Sequence, residues 1–195
     1  MDQIMESLDF FRNFIKNPST VGSLIPSSQA LAKLMTTTAN VAQADVIVEF
    51  GAGTGVFTEQ VQKERKENSH FFSFEINEEF ARITQERCPD VDVFNESAAN
   101  TLVRLKERNL EGCDCIVSGL PWATLPKEIQ DELFSTMVQS LRPNGIFATF
   151  VYIQSSIMPN VTQFRAKLDA SFQETGVTTY VWSNIPPARI YWARK

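Results

Sequence analysis

Cysteine is scarce in this sequence: Cys88, Cys113 and Cys115 are the only three, an odd number without C-x-x-C spacing. That argues against a disulfide framework or a metal site, and the three are expected as reduced core thiols in a cytoplasmic protein. No apolar run reaches the ~18 residues of a membrane span. The first residues carry Asp2, Glu6 and Asp9, which does not match the basic-then-apolar pattern of a secretory signal. Internal repeats, low-complexity tracts and linkers are missing as well. So is an excess of positive charge. With 18 Lys+Arg against 23 Asp+Glu, the net charge of −5 speaks against a long polyanion such as RNA as partner. What remains is 195 residues, 43% hydrophobic and 11% aromatic, enough for one domain with a substantial core and too apolar for disorder.

Glycine is also sparse, yet three of the eight fall at alternate positions within residues 46–57, Val-Ile-Val-Glu-Phe-Gly-Ala-Gly-Thr-Gly-Val-Phe. Val46, Ile47 and Val48 suit a buried parallel strand. Gly51, Gly53 and Gly55 then let the backbone turn tightly and approach a ligand where a Cβ would collide. A helix follows, its free N–H groups facing the turn. Glu75 closes a second apolar run twenty residues after Gly55, a spacing that places an acid on a nucleoside ribose. Nicotinamide sites space their glycines as G-x-G-x-x-G and seat a pyrophosphate. Here the spacing is G-x-G-x-G, and Glu49, two residues before the first glycine, would repel a pyrophosphate but attract an ammonium. S-adenosylmethionine (SAM) carries an ammonium and a sulfonium and no phosphate. Glu-x-Gly-x-Gly-x-Gly therefore resembles the first motif of the class I SAM-dependent methyltransferases.

The rest of the chain alternates strand and helix. Strands are predicted at 45–50, 70–75, 91–95, 114–118 and 145–152, with a final hairpin-like pair, 177–182 and 189–193, around Pro186-Pro187. Helices are predicted at 55–63, 78–87, 98–107, 126–141 and 161–172. Such alternation implies an α/β fold, a Rossmann-like, mostly parallel seven-stranded sheet with helices on both faces. Ligands then bind beyond the carboxyl ends of the strands, where strand order reverses. The glycine turn, Glu75, residues 95–98 and residues 118–122 all follow strands and can reach that edge. Residues 1–40 stand outside this 41–195 core as a helical extension. In residues 1–16, Ile4, Leu8, Phe11 and Ile15 share one helical face; Asn17-Pro18 ends that helix, and Pro26-Ser27-Ser28 opens another running to about Thr38. The first helix either packs on the core, lids the pocket or lies on a membrane.

A second signature, Ser118-Gly119-Leu120-Pro121-Trp122, follows the fourth strand. Amine-directed methyltransferases often place Asn-Leu-Pro-aromatic here, holding the target nitrogen with side chain and carbonyls. This chain keeps Leu-Pro-Trp but has Gly119 in place of the asparagine, which argues against a planar nucleobase amine. An aliphatic amine can instead be held by the carbonyls of Ser118 and Gly119, with Trp122 offering its π face to a methylated ammonium. The alternative is a plain strand-to-helix turn with a packed tryptophan.

Together with Arg12-Asn13-Phe14-Ile15-Lys16-Asn17-Pro18, Val21-Gly22-Ser23-Leu24-Ile25-Pro26-Ser27-Ser28 and the closing Asn184-Ile185-Pro186-Pro187-Ala188-Arg189-Ile190-Tyr191, these motifs resemble the bacterial phospholipid N-methyltransferases, relatives in fold of the rRNA adenine dimethylases. The resemblance covers nearly the whole chain. It implies SAM-dependent methylation of phosphatidylethanolamine towards phosphatidylcholine, with a phospholipid substrate at the membrane surface, no nucleic acid and no metal. The enzyme would be cytoplasmic and peripheral on the inner face of the membrane. By position, Glu49, Gly51, Gly53 and Gly55 would line the methionine end of SAM, Glu75 the ribose and Ile76 the adenine. Where the family often has Gly-Asp-Ala, this chain has Glu96-Ser97-Ala98, so Ser97 or Glu96 serves the adenine amino group. Ser27 and Ser28 would donate to the SAM carboxylate, Ser118 would flank the cofactor, and Leu120 and Pro121 the substrate.

Methyl transfer is an in-line displacement that needs positioning more than side-chain chemistry. The lone histidine, His70, precedes the second strand and faces away from the ligand edge, whereas Tyr152, at the end of the fifth, is placed to orient the amine or pass on a proton. Arg189 is either the partner of a lipid phosphate or a surface arginine of the last strand. Three readings remain: an aminolipid methyltransferase, a small-molecule or rRNA methyltransferase on the same fold, and a SAM- or membrane-binding protein without turnover. The sequence carries no signal for an oligomeric state.

Overall fold

A computed structural model of the chain describes residues 27–122 and 124–195. The helix expected over residues 1–16 lies outside the described residues. Seven strands form one sheet in the order β3-β2-β1-β4-β5-β7-β6. They are β1 (Val46–Phe50), β2 (His70–Phe74), β3 (Asp92–Phe94), β4 (Cys113–Ser118), β5 (Leu141–Tyr152), β6 (Glu174–Val177) and β7 (Ala188–Arg194). β1 to β5 are parallel, and β7 runs antiparallel to both β5 and β6. The strand order reverses between β1 and β4, so the crevice above those two strands is the ligand position of such a sheet.

Central placement explains why β1 is fully buried along its length: both faces are covered by helices. Val46, Val48 and Phe50 pack with Phe72, Phe74, Phe147 and Phe164 on one face. On the other, Ile47 meets Leu31, Met35, Phe57 and Val61. The helices are α1 (Gln29–Thr38), α2 (Val56–Glu64), α3 (Glu78–Arg87), α4 (Thr101–Glu107), α5 (Lys127–Ser140) and α6 (Pro159–Ser171). Their starts follow local chemistry. The Ser28 and Asn77 side chains accept from the N–H of Leu31 and Phe80 at the starts of α1 and α3, and Pro159 opens α6. Cys88, Cys113 and Cys115 are buried and free, as expected; burial pushes each thiol up.

Within the described residues the predicted elements are present with two shifts. The penultimate strand is Glu174–Val177, not 177–182. Gly176 lets the Trp192 indole lie against the backbone, where an added Cβ would come within 2.6 Å of the ring, and Glu174 pairs with Arg194 across the edge at 3.1 Å. The apolar run after Val177 is instead a loop, held by Thr178 N–H on the Ile190 carbonyl (3.0 Å) and Val181 N–H on that of Ala188 (2.7 Å). β5 starts early, with an irregularity between the Cys113–Leu141 and Cys115–Ile146 pairings. α1 is no loose appendage. It buries Leu31, Ala32, Met35 and Thr36.

Candidate functional site

The three glycines after β1 all take left-handed backbone, with φ of 77°, 56° and 84° at Gly51, Gly53 and Gly55, which strongly favours glycine. The Phe74 carbonyl accepts from Gly51 N–H (2.9 Å) and Ala52 N–H (3.1 Å), tying the turn to the end of β2. α3 braces it from outside: Thr84 Oγ1 donates to the Gly53 carbonyl (2.9 Å) and Arg87 Nη1 to that of Thr54 (3.2 Å). A Cβ on Gly53 would meet nothing within 4 Å, so open space lies directly beside the turn.

Glu75 faces that turn. Its Oε2 accepts from Gly53 N–H and its Oε1 from Asn77 N–H, both at 2.8 Å, and burial pushes its carboxyl up. Asn95 Nδ2 donates to the Glu75 carbonyl at 2.9 Å, bringing residues 95–98 alongside. The result is a cleft beside the turn. Gly51, Glu75, Ile76, Glu96, Ser97 and Ala98, all singled out from sequence, line one side; Phe74, Leu120, Leu125, Ile129 and Leu133 complete it. A buried carboxylate beside apolar walls and a left-handed glycine turn is what a nucleoside with a charged tail requires. Glu96 is committed elsewhere: Arg104 Nε and Nη2 (2.6 and 2.9 Å) grip it in a fork and hold its carboxyl below the usual range. Ser97, which accepts from Ala99 N–H at 3.2 Å, keeps its own O–H to donate.

Glu49 is not in the cleft. Strand alternation turns it to the α2 side, fully buried, where Oε2 accepts from Ser73 Oγ (2.6 Å) and Thr58 Oγ1 (2.7 Å). Its Oε1 has no hydrogen-bond partner among the described residues. Burial outweighs the two hydroxyls and pushes the carboxyl from 4.5 to about 7. Expected as a direct contact of the methionine end, Glu49 instead sits beneath the turn that would hold it.

The loop after β4 corrects further expectations. Gly119 leaves no space for a side chain, because its missing Cβ position is filled by the Gly51 carbonyl oxygen, and its N–H donates to the Phe50 carbonyl at 2.8 Å. Trp122 presents no free π face. Its ring is buried, stacked on Phe164 at 4.5 Å and edge-on to Phe147 at 5.8 Å, and Nε1 donates to Ser118 Oγ at 3.0 Å. Ser118 is spent shaping this loop: Oγ also accepts from Leu120 N–H, and its carbonyl accepts from Thr149 Oγ1 (3.1 Å). The carbonyls of Leu120 and Pro121 accept from the N–H groups of Trp122 and Thr124. The Gly119 carbonyl alone in this loop has no hydrogen-bond partner among the described residues. Leu120 lines the cleft, its Cδ2 2.7 Å from where a Gly51 Cβ would be; Ser118, Gly119, Pro121 and Trp122 do not line it.

Tyr152 and Arg189 come from neighbouring strands but opposite faces. Register pairs Tyr152 with Ala188 and Val151 with Arg189, so the two side chains diverge. Tyr152 packs edge-on to Phe150 at 5.1 Å on the α1–α2 face. Burial raises its hydroxyl, which keeps it protonated and so unavailable as a base. Arg189 lies over the rings of Tyr180 (4.9 Å) and Tyr191 (5.2 Å), and its Nη2 donates to the Tyr191 hydroxyl at 3.0 Å. Its Nε is buried without a partner, and no carboxylate pairs with it among the described residues. Ser28 caps α1, and its N–H donates to Asn184 Oδ1 at 2.8 Å; neither Ser27 nor Ser28 lines the cleft. Sequence reasoning missed the Leu125-Ile129-Leu133 wall, although its i, i+4 spacing was in plain view. It also missed Asn184, whose buried tie to Ser28 is 156 residues long-range and has no local signal.

Comparison with known proteins agrees with this geometry. The sequence profile of the methyltransferase domain family matches residues 47–145. The chain is 34% identical over 95% of its length to the ornithine lipid N-methyltransferase of Singulisphaera acidiphila, 94% of which is covered. It is 30% identical over 60% of its length to the ribosomal RNA small subunit methyltransferase A of Thermotoga maritima, covering 40% of that protein. In fold it is similar to the O-methyltransferase from Bacillus cereus solved in complex with SAH, with a TM-score of 0.68 and 15% identity, covering 100% of this chain and 91% of the other.

Two predictions test the site. Gly119→Ala must push the Gly51 carbonyl aside; it should cost about 1–3 kcal/mol in denaturant unfolding and weaken SAM binding by calorimetry. An unchanged midpoint would mean that the two backbones do not meet at position 119. For Glu49, the folded state keeps a proton that the unfolded chain releases above pH 4.5, so this group destabilises the fold progressively from there to about pH 7. Above that range the cost is about 3 kcal/mol. Glu49→Gln should therefore flatten the fall in melting temperature between pH 5 and pH 8. An identical slope in both proteins would rule the effect out.

Proposed function

The chain belongs to the SAM-dependent methyltransferase domain family, and we propose that it transfers methyl groups from SAM to the amine of a lipid head group. The observation that carries this reading is Arg189, a guanidinium held between two tyrosines at the carboxyl edge of the sheet, with no carboxylate on it among the described residues. Such a group takes a phosphate or a carboxylate bidentately. An ornithine head group offers a carboxylate and an amine; phosphatidylethanolamine offers a phosphate and an amine. The similarity to an ornithine lipid N-methyltransferase along 95% of the chain ranks the amino-acid lipid first.

SAM supplies an electrophilic methyl on its sulfonium. The residues fit it: Glu75 for the ribose hydroxyls, Ile76, Ser97 and Ala98 for the adenine, and the Gly51–Gly53–Gly55 turn, with Glu49 beneath it, for the methionine end. The Gly119 carbonyl, next to the cleft-lining Leu120 and without a hydrogen-bond partner among the described residues, would accept the amine N–H, and its dipole would favour the positive charge that grows on nitrogen during transfer. Holding nitrogen and methyl in line at about 3–3.5 Å supplies much of the rate. The amine enters neutral, and its proton leaves to solvent, since neither His70 nor Tyr152 lines the cleft. An rRNA substrate is disfavoured by the charge of −5 and by the backbone contact that leaves position 119 no room for a side-chain amide.

Labelled SAM offered with detergent micelles of ornithine lipid or phosphatidylethanolamine should leave label in the organic phase, foremost with ornithine lipid. Label with phosphatidylethanolamine alone would reverse that ranking, and no lipid label despite SAM binding would end the lipid reading. Arg189→Lys should raise the lipid KM by about tenfold without changing SAM affinity; equal loss of both would make Arg189 a folding residue.

A further inference from the structure

Six large apolar side chains are exposed among the described residues, and four of them stand in two loops: Ile157 (85%), Met158 (40%), Trp182 (70%) and Ile185 (66%). One loop follows β5 and the other joins β6 to β7, so both lie at the carboxyl edge of the sheet, where the cleft opens. They are joined to each other. Tyr180 Oη bonds Ser156 Oγ at 3.3 Å, Ile153 N–H donates to the Pro187 carbonyl at 2.8 Å, and Tyr180 lies against Trp182 at 5.8 Å.

Charge is absent from both loops. In a chain that is 21% charged, residues 143–164 and 175–188 contain no Asp, Glu, Lys or Arg. Arg165 and Arg189 stand at the ends of these stretches, Arg165 over the Tyr191 ring at 5.8 Å and 4.0 Å from Asp169. Isolated exposed apolar residues are ordinary, but apolar tips clustered on uncharged loops call for an occupant. Tryptophan at such a tip suits a boundary that is apolar on one side and wet on the other. A bilayer surface meets all three features: acyl chains for the tips, head groups for the uncharged polar loop residues, and anionic groups for the arginines.

We propose that the loops 153–158 and 178–187 seat the protein on a lipid bilayer, with Trp182, Ile157, Ile185 and Met158 entering the acyl boundary and Arg189 level with the head groups. The inference rests on the lipid-methylation reading and deepens it, since a lipid held at this depth presents its head group to the cleft edge without leaving the membrane.

The test uses the full chain and vesicles of phosphatidylethanolamine and phosphatidylglycerol with brominated acyl chains. Tryptophan emission should be quenched on binding, and Trp182→Phe should abolish most of that quenching. The double variant Trp182→Ser/Ile157→Ser should partition at least about tenfold more weakly onto vesicles, with SAM affinity and methylation of detergent-dispersed lipid unchanged. The proposal is overturned by vesicle binding without quenching, which would place the contact on another surface such as residues 1–26. It is equally overturned if the double variant converts a dimer to a monomer, because a second copy would then be the occupant. Quenching intact with no methyl transfer to any lipid would instead sink the function and leave the surface standing.

Discussion

Two backbone segments meet above the centre of the sheet with no side chain between them. The Gly51 carbonyl occupies the place of a Gly119 Cβ, and Gly119 N–H donates to the Phe50 carbonyl at 2.8 Å. This crossing joins the ends of β1 and β4 where the strand order reverses. Leu120 is thereby laid over Gly51 as one wall of the cleft, and the glycine turn is pinned between β2, β4 and α3. A side chain on Gly119 would force the two loops apart, whereas one on Gly51 would push on the Leu120 side chain and strain a left-handed backbone. The same contact explains why a motif associated with a side-chain amide carries glycine here.

Beneath and beside this crossing lie two buried carboxylates with different tasks. Glu75 accepts two backbone N–H groups and faces the cleft, so a ligand hydroxyl can replace the Gly53 N–H as its partner. Glu49 points the other way and is held only by two hydroxyls, with one oxygen unpartnered. Its desolvation cost is carried by a well-packed sheet centre, and near neutral pH its charge is easily changed by whatever sits on the turn above. A destabilising group kept beneath the glycine turn, outside the cleft itself, marks a place where packing alone does not explain the residue.

The cleft, Arg189 and the apolar loops share one edge of the sheet. The cleft lies by the ends of β1 and β4, Arg189 lies on β7 two strands away, and the uncharged loops follow β5 and β6. A sheet whose strands are mostly parallel brings these strand ends together by construction, so Arg189 and the apolar tips stand along the same edge as the cleft. Distances along the edge are set by strand spacing rather than by flexible linkers.

Much of this was readable from the chain itself. The apolar run of β1, the alternate glycines, Glu75 at its spacing and the alternation of strands and helices gave the α/β sheet and its cofactor class, because each signal lies within a few residues and reflects local period or backbone freedom. Most element boundaries agree within one or two residues. What the chain could not reveal was facing and contact. Glu49 beneath the turn rather than in the cleft, Trp122 stacked on Phe164, and Tyr152 and Arg189 on opposite faces are all decided by register and by partners tens of residues away. The same holds for the shift of β6, set by Trp192 lying on Gly176. Sequence determined which chemistries the strand ends could bring to the edge; only tertiary packing decided which side chains face the ligand, because a side chain's direction depends on a neighbour strand that local pattern does not name.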